Sequence, residues 1–458
     1  MSINYGGTIA AIATAPGAGG IGVIRISGED AYEVAKRVFV PADKYDILTA
    51  DGYTMKFGKI VSEGETIDEA IALFFRAPKS YTAEDVVELQ CHGGSVVSKL
   101  VLRAVLNAGA RMAMPGEFTR RAFENGRLSL TEAEAVMDII NADSEHAAAQ
   151  ATAAMQGRTG REITTVVSNL TAAAAALNVW ADFPEDDVPP VDVTELDDRL
   201  AESEKKLSAI LASSEVGIKS RNGIKTVIAG RPNVGKSSLM NMLAGCERCI
   251  VTDIPGTTRD VVEEKIDLGG TVLALSDTAG LRESSDRVEM IGINEAKKRI
   301  DSAELVLAVF DSSQPLTDED KDLIASLGGK NAVAVINKTD KPSQIDTETI
   351  LSTLKTAVYI SAKEKTGFEE LKKAIEDVIG KSKVDAGMDI LANERQLAAA
   401  KNALSEIKLA SSALSMGMTL DAVTINIESA IDYLLELTGE RVSEKVVDEI
   451  FANFCVGK

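Results

Sequence analysis

The sequence predicts a multidomain α/β protein: an N-terminal α+β domain, a discontinuous α-helical domain, and a doubly wound α/β domain inserted into the helical one. Three observations carry that expectation. At 458 residues the chain exceeds one ordinary core, and length alone points to about three domains. A glycine-rich loop at residues 230–238 separates a β-rich segment from a helical one. Helical patterns of one character lie on both sides of the segment around that loop. The boundaries expected are 1–118, 119–222, 223–382 and 383–458.

The composition, 45% hydrophobic and 26% charged, excludes an extended disordered chain. No apolar run approaches the roughly 20 residues of a membrane-spanning helix. Met1-Ser2-Ile3-Asn4-Tyr5 lacks the basic region of a secretory signal, so a cytoplasmic location is expected. A formal net charge of −21 argues against broad, nonspecific nucleic-acid binding, which needs a wide basic surface. Any such contact must be local or shared with a partner. The four cysteines, Cys91, Cys246, Cys249 and Cys455, are too few for a disulfide framework. Cys246-Glu247-Arg248-Cys249 matches C-x-x-C, but it follows a helix instead of opening one and lacks a second ligand pair. Structural cysteines are expected.

In residues 1–118, Thr8–Thr14, Val23–Ser27 and Ile67–Phe75 read as strands, and Ala31–Val38 and Val96–Ala108 as helices. Gly17, Gly19 and Gly22 match G-x-G-x-x-G, but that fingerprint must open a helix and here a strand follows. A turn between strands is expected instead. Ser80–Gly94 and Pro115–Arg127 read as unusually polar loops. By residue type alone they fit turns, caps and surface ion pairs as well as a site, and His92 reads as a hydrogen-bonded structural residue.

The pattern turns helical from Leu130, where Thr131-Glu132-Ala133-Glu134 fits a capping box and Val136, Ile139 and Ile140 share a face. An alanine-rich run to Trp180 suits closely packed helices, Asp182–Pro190 breaks it, and another helix is expected over Glu195–Glu215. Helical patterns resume at Glu394–Leu414, Leu420–Leu437 and Ser443–Phe451. By itself, Phe454-Cys455-Val456-Gly457-Lys458 reads as an unstructured terminus.

The central segment alternates strand and helix, as a doubly wound parallel sheet does. Gly230-Arg231-Pro232-Asn233-Val234-Gly235-Lys236-Ser237-Ser238 matches the phosphate-binding loop G-x-x-x-x-G-K-[ST]. Its glycines let successive N–H groups face a phosphate, Lys236 brings charge to the β- and γ-phosphates, and Ser237 suits magnesium. Thr252-Asp253-Ile254-Pro255-Gly256-Thr257-Thr258 follows, with threonines able to bind magnesium and sense the γ-phosphate. In Asp277-Thr278-Ala279-Gly280, Asp277 can hold magnesium through water and Gly280 can meet the γ-phosphate. Asn337-Lys338-Thr339-Asp340 selects the base, because Asp340 accepts two hydrogen bonds from guanine that adenine cannot offer. Ser361-Ala362-Lys363 completes the pocket. These signals in this order read as a Ras-like G domain. Leu281 stands where many GTPases carry the glutamine that orients water, so a carboxylate such as Glu283 or Glu289 and another source of positive charge must serve.

The whole chain resembles the tRNA-modification GTPases of the MnmE (TrmE) type. The resemblance rests on Gly256–Asp260 with Asp277–Arg282, Gly19–Gly28, the runs from Tyr81 to Gly94 and from Pro115 to Arg127, and the terminal Phe454-Cys455-x-Gly457-Lys458. It implies an N-terminal domain that forms a homodimer and binds a formyl- or methylene-tetrahydrofolate. Arg25, Glu88, Arg127 and Lys458 match the folate positions, with Arg127 where a lysine often stands, and Cys455 matches the family pattern. It also implies potassium in place of an arginine finger at Asn233, Thr252, Ile254 and Thr257. Magnesium maps to Ser237 and Thr258, and Glu289 matches a water-positioning glutamate. The implied reaction is GTP hydrolysis coupled to modification of carbon 5 of the wobble uridine in tRNA. The product is aminomethyl or carboxymethylaminomethyl uridine, made with a flavin-dependent MnmG (GidA)-type partner.

Two rivals are weighed. A regulatory switch in ribosome assembly shares the central motifs but appends a basic RNA-binding domain, which is not evident. An ATP-driven motor conflicts with Asp340.

Overall fold

The computed structural model describes residues 6–142, 144–182, 192–246, 249–250, 264–268, 271–275, 298–379 and 391–458. The chain divides into two compact units. One comprises Met1–Ile140, Thr152–Ser208 and Glu394–Lys458, the other Asn141–Ala151 and Ala209–Asn393.

The first unit begins with strands β1 (Ile9–Ile12) and β2 (Ile21–Ser27), helix α1 (Ala31–Val38), and strands β3 (Phe39–Pro41), β4 (Thr54–Ser62), β5 (Glu65–Phe75) and β6 (Val86–His92). Helix α2 (Ser95–Asn107), strand β7 (Arg111–Met112) and helix α3 (Glu117–Glu124) follow. The strands form one sheet in the order β3-β4-β5-β6-β2-β1-β7. Period-two alternation decides its faces. Ile24, Ile26, Ala72, Phe74, Val87 and Leu89 turn inward onto Val34, Val101 and Val105 of α1 and α2. Their alternates leave Arg25 beside Glu88, and Glu88 beside Leu73, on the opposite face.

The turn expected at the glycines joins β1 and β2, which run antiparallel. Two polar stretches expected as loops are largely regular structure. Val86–His92 is the strand paired with both β5 and β2, and Glu117–Glu124 is helical. The polarity that suggested loops belongs to the outer face of a half-buried strand: Glu88 and Gln90 alternate with the buried Val87, Leu89 and Cys91.

Helices α4 (Leu130–Ile140), α5 (Glu145–Met155), α6 (Arg158–Asp182) and α7 (Val193–Asn222) come next. The capping box lies two residues earlier than expected. The Ser129 N–H donates to Glu132 Oε2 at 2.7 Å, and the Glu132 N–H to Ser129 Oγ at 3.3 Å, leaving Glu134 for another role. Against expectation, Arg158–Trp180 is long and apolar enough to span a bilayer by length and composition. Its Ile163, Val166, Leu170 and Leu177 are nevertheless buried, at the i, i+3, i+7 spacing of a helix packed in a protein core. The break expected at Asp182–Pro190 lies almost wholly outside the described residues.

The second unit carries β8 (Ile224–Ala229), α8 (Lys236–Cys246), β9 (Cys249–Ile250), β10 (Glu264–Asp267), β11 (Val272–Leu275) and β12 (Leu305–Asp311). Helix α9 (Asp318–Ser326), β13 (Ala332–Asn337), α10 (Thr347–Leu351), β14 (Ala357–Tyr359) and α11 (Phe368–Ile379) complete it. The sheet order is β14-β13-β12-β8-β11-β10-β9. The first five strands are parallel, as expected, and β10 and β9 form an antiparallel edge. Strands β12 and β13 are buried along their whole length, because helices cover both faces. Leu305, Leu307 and Val309 meet α8 and α11 on one side, and Val306, Ala308 and Phe310 meet α9 and α10 on the other.

Helices α12 (Glu394–Ser415), α13 (Leu420–Thr438) and α14 (Glu444–Ala452) return to the first unit. Buried Glu134 of α4 receives Arg395 Nη2 at 2.9 Å and Gln396 Nε2 at 2.5 Å, while Arg395 also donates to the Glu436 and Leu437 carbonyls ending α13. The terminus is ordered, contrary to the reading of its residues alone. Phe451 and Phe454 pack with tilted rings whose centres are 5.0 Å apart, the Gly116 N–H donates to the Cys455 carbonyl, and Gly457 (φ +99°) lies so close to Ile12 that a Cβ would stand 2.3 Å from its carbonyl oxygen.

Candidate functional site

Two constellations emerge, one in each unit. In the second unit the loop between β8 and α8 opens at Gly230, whose φ of +149° and close approach to the Val309 carbonyl suit only glycine. It closes at Gly235 (φ +105°), where a Cβ would meet Asn337 Nδ2 at 2.1 Å. That contact is constructive. Asn337 Nδ2 donates to the Val234 carbonyl at 2.9 Å, and Asn337 Oδ1 accepts the Ala362 N–H at 3.0 Å. One buried amide thus ties the phosphate-type loop to the two loops expected to read the base.

Lys338 (φ +68°) donates to the Asn233 carbonyl at 2.7 Å and to Asp311 Oδ2 at 2.6 Å. Burial alone would raise the Asp311 carboxyl, but bonds from Lys338 and Ser313 hold it below the usual range. Asp311 was not anticipated, although a lone aspartate closing the apolar run Leu305–Phe310 is a legible signal. Ser361 Oγ donates to Asp340 Oδ1 at 2.7 Å, and this bond, helped by the charge of Lys363, lowers the pKa of the exposed Asp340. Lys236 Nζ donates to the Gly230 and Arg231 carbonyls at 2.7 and 2.9 Å, and burial depresses its pKa. Ser237 and Ser238 are exposed in the first turn of α8. Thr252, Asp253, Ile254, Pro255, Gly256, Thr257, Thr258, Asp277, Thr278, Ala279, Gly280, Leu281, Glu283 and Glu289 lie outside the described residues.

In the first unit Arg25 Nε donates to Glu88 Oε1 at 2.7 Å. The Arg25 guanidinium stands 4.9 Å from the Tyr81 ring centre and 5.5 Å from that of Phe118, and its Nη1 is buried without a hydrogen-bond partner. Arg127 lies 5.0 Å from the same Tyr81 ring and donates to the Tyr81 carbonyl at 2.9 Å. Lys458 is half-buried, and its pKa is lowered by that burial and by Arg25, against opposing pulls from Glu88 and Cys455. Residues from distant parts of the chain therefore form one cluster: Arg25 and Arg127 share the Tyr81 ring, Glu88 binds Arg25, and Lys458 interacts electrostatically with Arg25, Glu88 and Cys455. The aromatic Tyr81 and Phe118 were not assigned roles from sequence, because a ring in a polar loop reads as anchoring until its neighbours are known. Cys91 is separate and structural: its Sγ donates to the Gly22 carbonyl, and burial raises its pKa. His92 is exposed and hydrogen-bonded to Asp68 at 2.7 Å, in keeping with a structural role.

Comparison with known proteins bears on both constellations. Residues 8–127 match the family model for the GTP-binding protein TrmE N-terminus, and residues 130–455 match that for the MnmE helical domain. The tRNA modification GTPase MnmE of Acetivibrio thermocellus is 42% identical over 456 residues, 98% of this chain and 99% of that one. Its counterpart in Heliobacterium modesticaldum is 41% identical, covering 99% and 100%. The one in Clostridioides difficile is 39% identical, covering 98% and 99%. The chain belongs to the MnmE family of tRNA modification GTPases.

Proposed function

We propose that this protein is a potassium-activated GTPase whose turnover is coupled, through a tetrahydrofolate-bound one-carbon unit, to modification of carbon 5 of the tRNA wobble uridine. The observation that carries the nucleotide half is the convergence of three loops on Asn337 and Lys338, which tie the Asn233–Val234 turn to Ala362 and to the segment carrying Asp340. Asp340 accepts the guanine N1–H and amino group, and the bond from Ser361 orients its carboxylate. Lys236 exchanges the Gly230 and Arg231 carbonyls for phosphate oxygens, a charge-assisted bond in place of two neutral acceptors.

Ser237 and Thr258 would hold magnesium, which neutralises phosphate charge. Asn233, whose side chain is exposed at positive φ beside the loop, would join Thr252, Ile254 and Thr257 around potassium, which supplies the charge of an arginine finger. Glu289 would position water.

The first-unit cluster fits a folate on its own chemistry. The buried, unpartnered Arg25 Nη1 calls for an acceptor, Glu88 is a carboxylate for the N–H groups of a pterin edge, and Tyr81 offers a flat face. When bound, the folate supplies the one-carbon unit. Arg25, Glu88, Arg127 and Lys458 hold and orient it.

The reading extends to a 1–118 folate and dimerisation domain, a helical domain over 119–222 and 383–458, and a G domain over 223–382. It includes action in the cytoplasm, a flavin-dependent MnmG (GidA)-type partner that makes the aminomethyl or carboxymethylaminomethyl product, and a homodimer. The dimer is supported by exposed Met55, Phe57 and Ile71 on paired strands β4 and β5. GTP hydrolysis in potassium against sodium salts tests the cation assignment. Potassium stimulation that disappears in Asn233→Ala is expected, and equal rates in both salts refute it. Wobble-uridine analysis in a deletion strain tests the tRNA role against ribosome assembly, for which nothing in the described residues speaks.

A further inference from the structure

Arg127 faces two ways. On one side it stacks on Tyr81 next to Arg25. On the other it lines a separate cavity of about 630 Å³ walled by Gly126, Ser129, Gly157, Arg161 and Glu440. The guanidinium carbons of Arg25 and Arg127, on one Tyr81 ring, are no more than about 10 Å apart, so the cavity adjoins the Arg25–Glu88–Lys458 cluster.

Three carboxylates, Glu124, Glu132 and Glu440, and two guanidiniums, Arg127 and Arg161, line the cavity. Glu124 is engaged by Arg120 at 2.6 Å, and Glu132 is held by the Ser129 N–H and hydroxyl, at 2.7 and 3.0 Å, in capping α4. Arg127 and Arg161 each donate to a carbonyl, of Tyr81 and of Gln156, and no carboxylate ion-pairs with either among the described residues. A guanidinium has five donors, so both retain capacity for an anion. Gly157 is buried at φ +68° and leaves room for the Glu132 carboxylate, whose Oε1 a Cβ there would meet at 2.4 Å.

We propose that this cavity receives the γ-linked oligoglutamate tail of the folate, with Arg127 and Arg161 as its anion-binding groups and Glu440 as the residue that limits affinity. The proposal rests on the folate reading of the neighbouring cluster. A one-carbon folate lying against Arg25, Glu88 and Tyr81 would lead its carboxylate end past Arg127 into the cavity, where successive glutamates meet Arg161.

The test is calorimetric titration of the full-length protein with 5-formyltetrahydrofolate carrying one or three glutamates. The triglutamate should bind roughly tenfold tighter at low salt, as expected of charge-assisted bonds at a partly exposed site. Arg161→Ala should remove most of that preference while leaving the monoglutamate Kd unchanged, and Glu440→Gln should enlarge it. Equal affinity of the wild-type protein for the two ligands overturns the tail site alone. So does a Glu440→Gln protein with an unaltered preference. Failure of both ligands to bind overturns the tail site together with the folate reading.

Discussion

Asp340 and Lys458 show how single charges serve the two constellations at different cost to the fold. Asp340 is exposed and aligned by Ser361, so replacing it with asparagine should leave stability nearly unchanged. The substitution turns one acceptor into a donor and leaves the other uncharged, disrupting a pair of bonds each about 1.5–3 kcal/mol, so affinity for a fluorescent GTP analogue should fall by roughly 100-fold or more. Lys458 is the opposite case, because burial disfavours its charged form. The unfolded chain therefore binds more protons than the folded one between the depressed pKa and the ordinary 10.5. Stability from this group rises with pH through that window and is lost again as pH falls through the folded value. Lys458→Met should thus raise the thermal midpoint at neutral pH, lose the gain above about pH 10.5, and abolish folate binding. A destabilised Lys458→Met protein at neutral pH would contradict this.

At the scale of elements, joints between helices carry specific loads. Arg395 clamps Glu134 of α4 and the last carbonyls of α13. Arg395→Ala leaves a buried carboxylate short of its charge partner and should cost about 3–5 kcal/mol in denaturant unfolding. Ser129→Ala removes the box that starts α4 and should cost about 0.5–2 kcal/mol, a much smaller shift. The C-terminal segment docks where Gly116 (φ +67°) would place a Cβ 2.7 Å from the Phe451 carbonyl, and where Gly457 touches Ile12. Gly457→Ala should expose the terminus to carboxypeptidase and weaken folate binding while sparing GTP hydrolysis.

For the whole molecule, the N-terminal sheet sets its site and its apolar patch on one face. The register that pairs Arg25 with Glu88 continues through Leu73 to Met55, next to the Phe57–Ile71 pair. Phe57→Glu should convert the proposed homodimer to a monomer in sedimentation analysis at micromolar concentration, because a carboxylate in an apolar interface must be desolvated. An unaltered sedimentation coefficient would place the interface elsewhere.

The second unit was largely legible in the chain. Its loop motif, base-reading motif and alternating elements are local patterns, set by hydrogen bonding and burial over a few residues. Its antiparallel edge was not, because the direction of a short strand depends on its neighbour and not on its own side chains. In the first unit the residues of the cluster came only from a family resemblance, and the polar strand β6 read as loop because its buried half depends on a sheet assembled from distant segments. Sequence by itself determined the guanine-type chemistry and the helical frame. Tertiary structure alone decided that the last residues are ordered and that Lys458 comes within electrostatic reach of Arg25 and Glu88. The reason is physical: burial and the electrostatic contacts around it arise only where segments hundreds of residues apart close on one another.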